Sequence, residues 1–259
     1  MIAGDPVPTI HLANISTRLA VGTGDNVVII GFIITGTQPK RITVRGLGPL
    51  LPVNENLGDP TLELHEPSGG VVVNDNWRDT QQDELKAAIP PTNDYESAIV
   101  KSLTPGGYTV VLAGKGGTTG VGLLEVYDLD LTVDSKLANI SARGSVGKGD
   151  DVLIGGTIIL GTGTTTVVFR ALGPSLAGVS NALQDTTLEL HDGQGGLIAF
   201  NDNWQESQDG GAAIPANLRP TKPSEAAILR QFTPGAYTAI VRGKGNTTGV
   251  GLIEAYQIN

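Results

Sequence analysis

The sequence predicts an all-β protein made of two homologous antiparallel β-sandwich, jelly-roll-like domains in tandem. Three observations carry this reading. The chain repeats itself: residues 12–36 and 137–161 share 16 identities in 25, and residues 104–127 and 233–256 share 16 in 24. Short apolar or alternating runs recur between turn signals at roughly 8–12 residue spacing, the pattern of sandwich strands. The 259 residues include 36 Gly and 15 Pro but only 4% aromatics, which favours many turns and few long helices.

The repeat keeps its landmarks in order. Leu12-Ala13-Asn14-Ile15-Ser16 returns as Leu137-Ala138-Asn139-Ile140-Ser141, Leu47-Gly48-Pro49 as Leu172-Gly173-Pro174, and Asn74-Asp75-Asn76-Trp77 as Asn201-Asp202-Asn203-Trp204. Units of about 125 residues exceed solenoid repeat lengths, so each is expected to own a core. The expected organisation is repeat one at 1–128 with an N-terminal lead at 1–11, an acidic connector at 129–136, and repeat two at 137–259.

Within the first repeat, Val27 to Ile34 is a β-branched run that reads as a buried strand. Residues 41–45 place Ile42 and Val44 on one face, and residues 61–65 place Leu62 and Leu64 on one face. Residues 70–73, 97–103, 108–113 and 122–127 complete the strands. A single helix is expected from Thr80 or Gln81 to Ala88, capped by Asp79 or Thr80 and stopped by Pro90. Gly210-Gly211 weakens its counterpart. Asp128 to Asp134 alternates Asp with apolar residues and has neither Gly nor Pro, so a near-extended connector is expected.

Composition excludes several functions. Without Cys there is no disulfide framework, Cys-ligated zinc or thiol nucleophile. A net charge of −9 disfavours a nucleic-acid partner. The longest apolar stretch is far shorter than the roughly 20 residues a spanning helix needs, so no membrane insertion is expected. The acidic, Gly/Thr/Asn-rich composition points to an extracellular or cell-surface location.

The most chemical-looking segments are Asn74-Asp75-Asn76 and its copy. Oxygens at alternate positions can converge on calcium, with Asp59, Glu96, Asp185, Asn201, Asp202, Asn203 and Glu225 as further candidate ligands. Asn and Asp also build turns by bonding local backbone, and the spacing is not that of an EF-hand. Trp77 and Trp204 are the sole tryptophans. They are either candidate sugar-stacking residues or core plugs. His65 and Glu63, with His191 and Glu189, occupy one strand face without a third ligand, a nucleophile or an oxyanion site, so no enzyme is expected. Gly114-Lys115-Gly116 departs from the phosphate-loop pattern and reads as a hairpin turn.

Thr61-Leu62-Glu63-Leu64-His65, then Gly70 to Val73, Asn74-Asp75-Asn76 and Leu103-Thr104-Pro105-Gly106-Gly107-Tyr108-Thr109-Val110 together resemble the bacterial pre-peptidase C-terminal (PPC) type of β-sandwich. The Leu-Ala-Asn-Ile-Ser-x-Arg opening looks like a tandem repeat of large secreted bacterial proteins, a repeat without assigned function. The resemblance implies a non-catalytic extracellular module of a type that sometimes binds calcium. The family's usual Asp-Asp step is Asp75-Asn76 here.

The expected function is therefore structural: a homo-oligomer assembling head-to-tail into a surface filament, with contacts near Ile10, His11, Leu12, Tyr256 and Ile258. The lead before Leu12 and the end after Tyr256 would let a junction between chains imitate the junction within one, which gives open fibres. The alternative is a secreted module that binds polysaccharide or a surface partner, with calcium as its one candidate cofactor.

Overall fold

The structure is a computed structural model that describes residues 10–206 and 211–258. Its first half runs β1 (His11–Val21), β2 (Val28–Thr35), β3 (Lys40–Leu47), β4 (Pro60–His65), β5 (Val71–Asn74), α1 (Gln82–Lys86), β6 (Ser97–Leu103), β7 (Gly106–Gly114) and β8 (Gly120–Asp128). The second half runs β9 (Lys136–Val146), β10 (Leu153–Leu160), β11 (Thr165–Leu172), β12 (Thr186–Asp192), β13 (Leu197–Asn201), β14 (Ala226–Phe232), β15 (Gly235–Gly243) and β16 (Gly249–Gln257). The fold is all-β and sandwich-like, and every strand pair is antiparallel.

The pairings assemble into two runs of strands. One is β5-β4-β7-β2-β9-β16-β11-β14, and the other is β13-β12-β15-β10-β1-β8-β3-β6. Each run begins with four strands of one half and continues into four of the other. The exchange is reciprocal: β2 pairs with β9, the first strand of the second half, while β10 pairs with β1, the first strand of the first half. The runs touch where Leu12 of β1 faces Leu137 of β9.

Period-two alternation places the core between the runs. Leu62 and Leu64 of β4, Val110 and Leu112 of β7 and Val28, Ile30, Phe32 and Ile34 of β2 face inward from one run. Ile15 and Leu19 of β1, Ile42 and Val44 of β3 and Leu124 and Val126 of β8 face them from the other. All belong to one contiguous cluster that includes residues of both halves. Burying each such side chain contributes roughly 1.5–3 kcal/mol.

Three local expectations need correction. The β2 segment alternates rather than being buried throughout: Ile33 is 41% exposed because the outer face of its sheet is open. The helix covers only Gln82–Lys86, and neither Asp79 nor Thr80 caps it, since the Thr80 hydroxyl accepts a hydrogen bond from Asn74. The second half has 3-10 turns at Gly211–Ala213 and Ala216–Leu218 in that region. The connector bends rather than extending, because Asp128 and Asp130 each accept a hydrogen bond from the backbone N–H two residues on.

The connector is also pinned by charge. Lys40 is buried, 2.8 Å from Asp128, and its ammonium donates to the Asp130 carbonyl. Burial pushes the Asp128 carboxyl above its ordinary value despite that lysine. The second half holds a neutral equivalent, in which Gln257 donates to Thr165 Oγ1 at 2.9 Å and to the Ile10 carbonyl at 3.2 Å. The segment entering each first strand is thus tied to the half that strand pairs into.

Candidate functional site

The loops after β1, β3, β5 and β7 gather at one end of the molecule, and their counterparts do the same in the second half. The β7–β8 turn is fixed by Lys115 N–H donating to the Asp59 carbonyl at 2.9 Å, and by Lys244 N–H donating to Asp185 at 3.0 Å. Gly114 and Gly243 open these turns. A Cβ on either would meet the carbonyl of Thr118 or Thr247 at 2.1 Å, so only glycine fits.

This turn aims a lysine at the acidic residues singled out in the sequence. Lys115 Nζ lies 2.6 Å from Asp75 Oδ2 and 3.7 Å from Asp59 Oδ2. Lys244 Nζ lies 2.6 Å from Asp202 and 3.9 Å from Asp185. The hydrogen bond to Asp75 raises the Lys115 pKa, and that to Asp202 raises the Lys244 pKa. Burial, reinforced by the charge of Asp202 and opposed by Lys244, raises the pKa of Asp185.

Of the expected calcium ligands, Asp59 and Asp75 come together around Lys115 and Asp185 and Asp202 around Lys244, while Asn74, Glu96, Asn201 and Glu225 are engaged in other hydrogen bonds. Asn74 Oδ1 accepts from Ala98 N–H and its amide donates to the Asn76 carbonyl, while Asn201 makes the same bonds to Ala227 and Asn203. Glu96 accepts from the N–H groups of Gly48 and Asn93, and Glu225 from those of Gly173, Ser175 and Lys222. These four residues hold loops. Buried oxygens without a hydrogen-bond partner remain on Asp59, Asp75 and Asn76, and on Asp185 and Asp202. An ammonium lies beside the carboxylates of each cluster. Asn203 instead donates to Glu206. Among the described residues no group of three or more His, Asp or Glu could hold a metal.

Trp77 is closed to a sugar ring, whereas Trp204 is half-buried. Trp77 is 3% exposed, donates its indole N–H to the Asn93 carbonyl and is covered by the Arg78 guanidinium at 4.3 Å. With Leu85 of α1 it packs on Ala98 and Val100, a small second core on the outer face of β6. Trp204 is half-buried against the equivalent cluster of Val168, Ile214 and Ala227. Both plug cores, as large apolar rings commonly do.

The expected assembly residues are also engaged within the chain. His11 and Leu12 are buried in β1 against β10, Ile10 packs on the main core, Tyr256 lies under Arg170 and Ile258 joins the Trp204 cluster. His11 and Leu12 are taken up by the strand exchange, whereas Tyr256 and Ile258 make their contacts within the second half.

His65 and Glu63 form an exposed pair at 3.0 Å, and His191 and Glu189 form a partly buried one at 3.2 Å, where Arg242 also reaches Glu189 at 3.2 Å.

One constellation escaped the sequence reading. Arg45 Nε donates to Glu125 Oε2 at 2.9 Å, Tyr127 donates to Glu125 Oε1 at 3.0 Å, and the guanidinium sits 5.1 Å from the Tyr127 ring centre. Arg170, Glu254 and Tyr256 repeat it at 2.9, 2.9 and 5.0 Å. The signal was available as Arg, Glu and Tyr at matched positions of both repeats. Burial, then the glutamate charge, pushes both phenols up to about 12. Each triad ties two strands to the covering loop, through Arg45 to the Pro90 carbonyl and Arg170 to that of Leu218.

No helix among the described residues is long and apolar enough to cross a membrane. No protein-family model matches the chain, and no curated protein does. Among solved structures, it is similar to a DUF4785 family protein from Legionella pneumophila at 11% identity and a TM-score of 0.28, over 93% of this chain. The chain spans 63% of that protein's length, and so slight a likeness establishes no shared function.

Proposed function

We propose that this is a non-catalytic extracellular structural protein that self-assembles into a surface filament or matrix. On this reading the chain is two homologous jelly-roll-like sandwich domains, residues 1–128 and 137–259, fused side by side. The observation that carries it is the reciprocal pairing of β2 with β9 and of β1 with β10. It makes both strand runs continuous through both halves, so load on one passes through ladder hydrogen bonds into the other rather than through a linker. The chemistry agrees: Lys115 and Lys244 each sit against a pair of aspartates, and His65 and His191 each pair with a glutamate on a strand face. The extracellular location rests on the resemblance to secreted sandwich repeats. The burial of Trp77 favours the structural reading over a binding module, for which the half-buried Trp204 is the remaining sugar-stacking candidate.

Size-exclusion chromatography with light scattering, across a wide concentration range, tests the reading. Species larger than one chain that grow with concentration are expected. A single monomeric species throughout would overturn it.

A further inference from the structure

The far ends of β1 and β9 emerge close together, where a Cβ on Gly144 would meet Leu19 Cδ1 at 1.7 Å. Loops of both halves surround that point and leave a groove between them. It is built twice. One cleft, of about 830 Å³, lies between Asn54, Glu55 and Thr119 of the first half and Ser145, Gly147 and Asp151 of the second. The other, of about 820 Å³, lies between Ser180, Asn181 and Thr248 of the second half and Asn26 of the first, again with Ser145 and Gly147. Glu55 matches Asn181 in the repeat, Thr119 matches Thr248, and Asp151 matches Asn26. Ser145 and Gly147 border both clefts and make them one groove.

The walls are fixed by backbone. Val121 N–H donates to the Glu55 carbonyl and Leu57 N–H to the Val121 carbonyl, both at 2.8 Å. Val250 N–H to Asn181 and Leu183 N–H to Val250 repeat the pair, again at 2.8 Å. Glu55 and Asn181 are thereby held in the left-handed region, with φ of 56° and 58°. Non-glycine residues held there by their surroundings cluster at ligand clamps.

The lining selects the ligand. Asn54, Glu55, Thr119, Asn181, Thr248 and Asp151 are all exposed and offer amide, hydroxyl and carboxylate groups. Such groups exchange hydrogen bonds with sugar hydroxyls. Among the described residues no lysine or aromatic ring lines either cleft. Glu55 and Asp151, with Asp150 in the adjoining cleft beside Arg18, disfavour a polyanion. One cleft carries carboxylates where the other carries amides, so the groove has a direction, as a glycan chain does.

We infer that this groove binds a linear neutral polysaccharide, with successive segments of the chain in the two clefts and Ser145 between them. The site uses neither tryptophan, and it goes beyond self-assembly without depending on it.

Affinity electrophoresis of the full-length protein tests this, in gels containing laminarin, hydroxyethylcellulose, galactomannan or dextran, with alginate as the polyanion. Retardation by at least one neutral polymer and none by alginate is expected. Ser145→Trp fills the shared centre from an exposed position and should lower the affinity by about tenfold or more. Asn54→Ala/Asp151→Ala and Asn26→Ala/Ser180→Ala should each weaken binding, and Trp204→Leu should bind as the native protein does. Circular dichroism and melting curves verify that each variant folds. Retardation that survives in folded Ser145→Trp, retardation by alginate alone, or none in any gel would overturn the assignment. A change in oligomer size with Ser145→Trp but none in glycan binding would make the groove a contact between copies and also overturn it. Size is read separately by light scattering: a glycan-binding monomer would overturn self-assembly and leave the groove standing, and multimers that bind no glycan would do the reverse.

Discussion

Leu12 and Leu137, the same residue of the two repeats, face each other across the bridge between β1 and β9. Around that point each first strand leaves its own half on one side and enters the other half's sheet: β1 binds β8 and β10, and β9 binds β16 and β2. A junction between repeats has become part of the core.

A first prediction concerns the isolated first half. Without the second half, β1 and β2 each lose a neighbour and expose unpaired edges. Residues 1–135 expressed alone should form a two-fold dimer in which β1 of one copy pairs with β2 of the other. Light scattering should give twice the chain mass. A stable, folded monomer would show that the exchange is not needed to satisfy those edges.

The Lys40–Asp128 pair offers a comparison within one chain, since Thr165 and Gln257 fill the matching positions. Lys40→Thr alone leaves a buried carboxylate without its cation and should cost about 3–5 kcal/mol. The double variant Lys40→Thr/Asp128→Gln copies the neutral arrangement and should fall within about 1 kcal/mol of the native protein. Urea unfolding midpoints measure both, and equal losses in the two would refute the argument.

Alkaline titration reads the Arg–Glu–Tyr triads. Tyr127 and Tyr256 are held up to about 12 from an ordinary value of 10.0. The folded state therefore retains two protons that the unfolded state releases. The resulting stability is present below pH 10 and is lost as pH rises from 10 toward 12. Phenolate absorbance should show both groups ionising late, together with unfolding. Early ionisation of all five tyrosines in the folded protein would contradict the burial.

Calcium is expected to leave the melting temperature unchanged, because Lys115 and Lys244 already serve the two acidic pairs. Lys115→Met and Lys244→Met should each lower the melting temperature by leaving paired carboxylates without a cation. A calcium-dependent rise in the native protein would show that a metal displaces the lysines.

Much of the fold was legible because it is written locally. Leu62 and Leu64 alternate with Thr61, Glu63 and His65, and Gly114-Lys115-Gly116 recurs at a position only glycine tolerates. The strand exchange was not legible. The pattern of β2 says that one face is buried but not whether its neighbour is β1 or β9, since both carry Leu-Ala-Asn-Ile-Ser. The acidic cluster was found, but its cation was not: Lys115 lies 40 positions beyond Asp75 and reaches it only through the β7–β8 turn. Trp77 gave no sign of facing outside the main core, because the segment that covers it has little periodicity.

Negative-stain imaging of the native full-length protein across a wide concentration range tests the central claim most directly. Extended assemblies that lengthen as concentration rises are the predicted result. Isolated single particles of native protein at every concentration would contradict it.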